Sequence, residues 1–122
     1  MDKLEAIFDK QLAFNQYMEA KRQLPQVSRE VWVQRECMAM MVELSEVLEE
    51  VNYKWWKNPK PLDEAAIKEE LVDVLHFFVS ACQKMGMTAQ ELYDGYMDKN
   101  QENFNRQDGK GKKTGYAPGE TP

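Results

Sequence analysis

The sequence predicts a small all-α protein, a four-helix-type bundle followed by a short tail. Gly and Pro are scarce before residue 108, and apolar residues recur at three- and four-residue steps. No segment shows the alternation of apolar and polar residues that is typical of a strand. The chain has 122 residues, 43% of them hydrophobic, which suits a single core. We therefore place one domain at residues 1–107 and a tail rich in Gly, Lys and Pro at residues 108–122.

The first two helices are separated by a short break at Pro25. The first is predicted over about 2–22, and its inner side is marked by Leu4, Ile7, Phe8, Leu12 and Phe14. Ser28 is suited to cap a second helix that ends near Val51. One apolar face of this helix is formed by Val31, Met38, Met41, Leu44, Leu48 and Val51.

The third helix follows a loop forced by Pro59 and Pro61. Asp63 can cap it, and Gly86 is suited to end it. From residue 71 to residue 82 the helix is apolar on nearly every side, which indicates a central position among other helices. Because a bundle of this size covers so apolar a helix poorly, we expect a homodimer. A well-covered monomer is the alternative.

The fourth helix is predicted from a T-x-x-E capping box at Thr88 and Glu91 to about Arg106. The remainder, GKGKKTGYAPGETP, is too rich in Gly, Pro and Lys to bury a core, so alone it should be mobile.

Charge and composition narrow the class of protein. The net charge of −5 argues against a general nucleic-acid surface, which would be basic. No apolar run approaches the ~20 residues needed to cross a bilayer, and no signal peptide is visible. Cys37 and Cys82 lie in apolar helical patterns, as core thiols in a reducing compartment do. We expect a cytoplasmic protein that interacts with neither nucleic acid nor membrane.

Two pairs of carboxylates carry the chemical signal. Glu43 and Glu46 are three residues apart on the second helix, and Glu70 and Asp73 are three apart on the third. The short loop makes these helices antiparallel neighbours. Counted from Pro59, Glu46 comes level with Asp73, so the four carboxylates should face one another at one height.

Facing carboxylates must be neutralised, by raised pKa values or by cations. A site made of carboxylates suits Mg²⁺ or Mn²⁺, whereas zinc prefers His and Cys. Magnesium usually keeps waters and binds substrate phosphates, which points to a nucleotide or another polyphosphate. The alternative is a solvated stripe of acidic residues on the second helix, made of Glu43, Glu46, Glu49 and Glu50.

Further polar and aromatic residues are candidates for contacts with such a ligand. Cations and amides suited to phosphate or sugar oxygens are Lys54, Lys57, Lys99, Asn100, Asn103 and Arg106. Aromatic or ring side chains that could line a base pocket are Trp55, Trp56, His76 and Phe77. Each also has an ordinary structural interpretation: core packing for the rings, and an exposed helix end for Lys99 to Arg106.

These motifs resemble a known family. E-x-x-E followed by E-x-x-D on paired helices is similar to the all-α nucleoside triphosphate pyrophosphohydrolases, the MazG-like superfamily. The closer resemblance is to its dimeric all-α dUTPase family, and it rests on QLAFN, VELSEVLEEVNYKWWKN, EELVDVLHFFVS and KNQENFNRQ. It extends from the first helix through Gln107. The segment DGKGKKT between Gln107 and Gly115 departs from the family pattern.

The resemblance implies hydrolysis of dUTP, and of dUDP, to dUMP with two or more Mg²⁺ ions, for which Mn²⁺ can substitute. It implies metal ligation by Glu43, Glu46, Glu70 and Asp73, with Glu43 or Glu46 activating water. It further implies phosphate binding by Lys54, Lys57, Lys99, Asn103 and Arg106, and nucleoside binding by Gln11, Asn15, Trp56, His76, Phe77 and Asn100. A house-cleaning hydrolase for another nucleotide such as dCTP is the first alternative. A non-enzymatic helical interaction protein with Met-rich grooves is the second.

Overall fold

The computed structural model describes Asp2–Pro122 and contains four helices. They are α1 (Lys3–Lys21), α2 (Arg29–Glu50), α3 (Glu64–Lys84) and α4 (Ala89–Gln107). No strand occurs between Asp2 and Pro122, so the all-α prediction is confirmed, and each helix lies close to its expected bounds. None of these four helices combines the length and the apolar composition that a membrane crossing requires.

Each helix begins at a short polar residue whose side chain replaces a missing backbone partner. Asp2 accepts a hydrogen bond from the backbone N of Glu5 at 2.8 Å, and Asp63 accepts one from Ala66 at 3.1 Å. Ser28 and Thr88 do the same for α2 and α4. Such a cap contributes about 1 kcal/mol. The expected caps at residues 28, 63 and 88 are therefore confirmed.

The helices end on residues in the left-handed region. Gly86 ends α3 with φ 78°, and the backbone N of Met87 donates to the carbonyl of Cys82 at 2.9 Å. Asn52 has the same role after α2, with φ 58°. This geometry satisfies carbonyls that the helix leaves free. The Asn52 side chain also bonds the backbone of Lys60 twice, at 2.9 Å each, and so closes the loop toward α3.

The chain forms two compact units, which are described separately: the segment up to Met87, and Thr88–Pro122. In the first unit α3 packs against both α2 and α1. The α2–α3 pair is antiparallel, because Glu36 contacts Ser80 while residues 43 and 46, later on α2, approach the earlier Glu70. This arrangement confirms the predicted hairpin of two helices.

The core of the first unit is small and partly polar. Phe8, Val79 and Cys82 are buried, and so are the polar side chains of α1 and α3, namely Gln11, Asn15 and Ser80. The expected inner side of α1 is therefore only partly right. Phe8 is buried, but Ile7, Leu12 and Phe14 are 39%, 46% and 57% exposed, because amide side chains occupy the face toward α3.

Large apolar surfaces remain uncovered in the single chain. The expected apolar face of the second helix is exposed at Met38, Met41, Leu44 and Leu48, and at Val51 just after α2. On α3 the exposed apolar residues include Leu71, Val72, Leu75 and Phe78. In this unit α3 packs against both α1 and α2, but these two helices leave part of its apolar surface uncovered. The placement of Cys37 in the core is wrong, because this thiol is exposed whereas Cys82 is buried.

The second unit consists of α4 and the tail after it. The backbone N of Lys112 donates to Glu102 Oε1 at 3.0 Å, and the guanidinium of Arg106 lies 5.3 Å from the ring centre of Tyr116. Gly111 is needed for this approach, because a Cβ there would lie 2.6 Å from Cγ of Arg106. Residues of the tail thus contact the last turns of α4.

Candidate functional site

Three carboxylates meet between α2 and α3. Glu43 and Glu46 lie one turn apart on α2, and Glu70 lies on α3. One carboxylate oxygen from each falls within 4.8 Å of the other two. Glu43 and Glu70 are half-buried and Glu46 is exposed. These three residues are called the acidic cluster below.

Among the described residues, no lysine or arginine forms a salt bridge with the acidic cluster. Hydrogen bonding to Glu46, then to Glu43, raises the pKa of the Glu70 carboxyl to about 7, and burial adds to the shift. The Oε2 atoms of Glu43 and Glu70 are hidden from solvent without a hydrogen-bond partner among the described residues. Buried carboxylate oxygens without partners are costly, and a bound cation would relieve that cost. The donor set, all carboxylate, fits a hard dication.

Asp73 is not part of the acidic cluster. It is half-buried on α3, one turn after Glu70, and its carboxylate does not share the 4.8 Å grouping. Ser80 contacts Glu36, and ten residues away on each helix Glu70 approaches Glu46. Glu46 therefore lies opposite Glu70, not opposite Asp73 as the count from the loop predicts.

A chain of hydrogen bonds crosses α1, α2 and α3. Nδ1 of His76 lies 2.9 Å from Oε1 of Gln11, whose Nε2 donates to Oδ1 of Asn15 at 3.0 Å. Nδ2 of Asn15 donates to the Ser80 hydroxyl at 2.9 Å, and that hydroxyl donates to Oε1 of Glu36 at 2.7 Å. These five residues are called the relay below.

One end of the relay opens into a cavity between α1 and α3. Its volume is about 510 Å³, and its lining is largely apolar. The polar groups of its wall come from Lys10, Gln11 and His76, and the apolar ones from Ala6, Ile7, Phe14, Val72 and Leu75. An apolar cavity with a few convergent polar groups is a common form of small-molecule site. Phe77 is half-buried and does not line it.

The loop after α2 presents lysines beside a smaller cavity of about 290 Å³. Lys54 and Lys57 both line it, and Lys54 pairs with Glu49 at 3.0 Å. This pairing raises the pKa of Lys54. Trp56 is 61% exposed and packs edge-on against Trp55 at 4.7 Å between ring centres. The expected phosphate-binding lysines are thus next to one another, and Trp56 is accessible.

The remaining candidates lie in the second unit. Lys99 and Arg106 line a groove of about 400 Å³, together with Lys112 and Lys113 of the tail. Glu102 also lines it, and the backbone N–H of Lys112 lowers the pKa of that carboxyl. The expected partners Asn100 and Asn103 are exposed and are not part of the groove lining.

Sequence reasoning missed Ser80 and Glu36. Ser80 lies four residues after His76, so a helical projection places both on one face, and this spacing is a usable signal. Nothing local marks Glu36, because its hydroxyl partner is 44 residues away in the chain.

The chain is similar to a protein family and to two phage enzymes. A family model described as dUTPase matches residues 3–82. A dCTP pyrophosphatase of Enterobacteria phage LZ5 is 42% identical over 59 residues, which cover 48% of this chain and 34% of that protein. A dCTP pyrophosphatase of Enterobacteria phage T4 is 34% identical over 88 residues, which cover 61% of this chain and 52% of that protein. The chain thus spans about a third to about half of the length of these two relatives. No solved structure matches it significantly.

The matched segment contains α1, α2 and nearly all of α3, and with them the acidic cluster and the relay. The resemblance to the all-α dUTPase family is confirmed, and the chain belongs to that family.

Proposed function

We propose that this protein is a metal-dependent pyrophosphohydrolase of a pyrimidine deoxynucleoside triphosphate, with dUTP as the first candidate substrate. Water attacks a phosphorus atom, the bond between the α-phosphate and the departing pyrophosphate breaks, and dUMP and pyrophosphate form. With dUDP the leaving group is phosphate. The observation that carries the proposal is the acidic cluster: its three carboxylates lie within 4.8 Å of one another, and two hidden oxygens have no hydrogen-bond partner among the described residues.

Glu43, Glu46 and Glu70 would hold the cation, and Asp73, one turn further on α3, is the proposed fourth ligand. We infer Mg²⁺, in two or more copies, with Mn²⁺ as a substitute. When bound, such ions stabilise negative charge on phosphate oxygens and lower the pKa of water. This set of oxygen ligands gives zinc little advantage.

Proton transfer and substrate binding are assigned to individual side chains. A carboxylate of Glu43 or Glu46 accepts the proton of the attacking water, as a general base does. In the first unit we assign phosphate binding to Lys54 and Lys57. In the second unit Lys99, Asn103 and Arg106 stay candidates for the same task. We assign the base to the cavity between α1 and α3, through Gln11 and His76, which line it. Nucleoside contacts of Asn15, Trp56 and Phe77, and of Asn100 in the second unit, stay predictions.

The second candidate substrate is dCTP. It is favoured because the two phage relatives are both named dCTP pyrophosphatase. The acidic cluster serves either nucleotide equally, since it would act on phosphates, so only the base pocket can separate them. A non-enzymatic interaction protein would not need carboxylate oxygens held together without partners.

We also propose that two copies associate. Apolar side chains on α2 and α3 are 40–62% exposed, a surface that a second copy would remove from water. The cytoplasmic location stays a prediction.

The deciding experiment measures pyrophosphate or phosphate release from dUTP, dUDP, dCTP and dTTP with Mg²⁺. We expect turnover of dUTP or dCTP, and loss of at least about a hundredfold in Glu46→Gln, the size typical of a missing general base. Glu69→Gln is the matched control, because it removes one charge from an exposed position next to Glu70. Equal rates in wild type and Glu46→Gln, or no release from any nucleotide, would contradict the proposal.

A further inference from the structure

The relay contains two residues that the proposed hydrolysis does not use, Ser80 and Glu36. Ser80 is 2% exposed, and Gln11 and Asn15 are each 7% exposed, so the middle of the relay is removed from water. Its two ends differ: Glu36 is half-buried on α2, and His76 is exposed at the cavity wall. In a buried chain of hydrogen bonds, a charged group at one end can fix which atom donates and which accepts at every step up to the accessible end.

The direction of the relay follows from its acidic end. An ionised carboxylate accepts hydrogen bonds and donates none, so the Ser80 hydroxyl must give its proton to Glu36. The oxygen of that hydroxyl is then an acceptor for the Asn15 amide, which in turn leaves Oδ1 of Asn15 as an acceptor for Gln11. Each amide is thereby oriented by the next residue.

Gln11 in turn determines which nitrogen of the His76 ring carries the proton. With Nε2 of Gln11 donating to Asn15, the atom of Gln11 that faces His76 is the carbonyl Oε1, at 2.9 Å from Nδ1. Two acceptors cannot form a hydrogen bond, so Nδ1 of His76 must carry the proton. In the neutral ring Nε2 is then an acceptor.

We propose that Glu36 and Ser80 are positioning residues that hold His76 in the Nδ1–H tautomer, so that Nε2 accepts a hydrogen bond from the base of the bound nucleotide. The part that concerns the base rests on the proposed function. The part that concerns the tautomer does not, because it depends only on contacts within the protein.

The consequence is selection of a base edge that offers an N–H group. Cytosine offers its exocyclic amine, next to a ring nitrogen acceptor, and uracil offers its ring N–H, next to a carbonyl acceptor. The two bases thus exchange donor and acceptor at adjacent positions, and an imidazole fixed as acceptor pairs with only one of them in a given pose. Without the negative charge of Glu36, Nε2 of His76 could carry the proton and donate instead. The preferred base would then change.

Nuclear magnetic resonance can test the tautomer directly, because the chain contains one histidine. Burial raises the pKa of Glu36, and the Ser80 hydroxyl and the Lys84 cation oppose that shift. The protein is therefore measured at about pH 8, so that the Glu36 carboxyl is ionised despite its raised pKa. The ¹⁵N chemical shifts of His76 should show a protonated Nδ1 in the wild type. Glu36→Gln and Ser80→Ala should move the ring toward the Nε2–H form, whereas Glu30→Gln, an exposed position on α2, should not.

Glu36→Gln keeps the shape of the side chain and adds a donor. If its thermal unfolding, followed by the helical signal, equals that of the wild type, then a change at His76 comes from the relay and not from a loss of folding. A wild-type ring protonated on Nε2, or a ring unchanged in both relay variants, would overturn the positioning role.

The kinetic readout is the ratio of kcat/KM for dCTP and dUTP. Glu36→Gln should change this ratio about tenfold, the order expected when a polar group in a closed site loses its partner. The change should appear in KM more than in kcat, because Glu36 does not touch the acidic cluster. A ratio unchanged while the tautomer shifts would refute the link to the base. If the wild type hydrolyses neither nucleotide, the proposed function fails, and the NMR result still decides the relay.

Discussion

We expect a divalent cation that binds the acidic cluster to displace a proton from Glu70. The pKa of Glu70 lies at about 7 because the carboxyls of Glu46 and Glu43 lie beside it. Near neutral pH the Glu70 carboxyl of the metal-free cluster therefore holds a proton part of the time, and that proton is shared through the hydrogen bonds to Glu46 and Glu43. A divalent cation prefers deprotonated ligands, so its binding must release that proton.

The size of the effect follows from the pKa. A group with a pKa of about 7 carries about 0.9 proton at pH 6 and about 0.1 proton at pH 8. Metal binding should release those amounts per protein chain, and apparent affinity should rise with pH until Glu70 is ionised. The sign is fixed: acid competes with the metal, because the raised pKa means that the folded protein holds a proton which an ordinary glutamate would already have lost.

Calorimetry measures the number of protons released when the metal binds. Mn²⁺ is titrated into metal-free protein at pH 6 and pH 8, in two buffers that differ in ionisation enthalpy, and the difference in heat gives the protons released. Mn²⁺ is used because it accepts the same oxygen ligands as Mg²⁺. Glu70→Gln removes the shared proton and should abolish the difference between the two pH values, along with much of the affinity.

Glu69→Gln provides the control, since it removes one carboxylate from the adjacent, exposed position. It should release as many protons as the wild type. Tight Mn²⁺ binding by the wild type with no proton released at pH 6, or with equal release at both pH values, would refute the shared proton and the cluster geometry behind it.

Two further predictions concern the loop and the exposed apolar surface. Asn52→Ala removes the two 2.9 Å hydrogen bonds to Lys60. It also leaves alanine at φ 58°, a backbone conformation that alanine adopts less readily than asparagine. The free energy of unfolding should therefore fall by about 1–3 kcal/mol. Chemical denaturation measures this free energy. Asn52→Gly tolerates the φ angle but lacks the side chain, so it should recover part of the loss. Equal stability of the wild type and both variants would contradict the argument. Met41→Glu places a charge on the exposed face of α2, where Met41 is 62% exposed, and should shift the mass in solution from about twice 14.3 kDa to 14.3 kDa. Light scattering after size exclusion measures it, Glu30→Gln is the control, and a monomeric wild type would refute the proposed association.

The helices were predictable because their signals are local. Ser28, Asp63 and Thr88 are short polar residues directly before apolar periodic segments, and their side chains reach backbone groups only three residues away. The two acidic pairs were predictable for the same reason, since residues three apart on a helix share a face. Such features need no knowledge of the neighbouring helix.

The register of α2 and α3 was not predictable from the loop. A count centred on Pro59 pairs Glu46 with Asp73, whereas the structure pairs Glu46 with Glu70. Moving the centre of the loop by little more than one residue shifts the facing pair by almost a helical turn. The loop is irregular and is closed by the bonds between Asn52 and Lys60, which no periodicity in the sequence indicates.

The sequence by itself determined that this chain folds into four capped helices, with carboxylate pairs on the two that form a hairpin. It did so because caps, turns and helical faces depend on residues within a few positions of one another. Only the tertiary structure decided which three carboxylates lie together and that Glu36 is connected to His76 through amides on another helix. Those contacts join residues 44 and 65 positions apart, and at such separations a hydrogen bond exists only if the packing of helices brings its two atoms together.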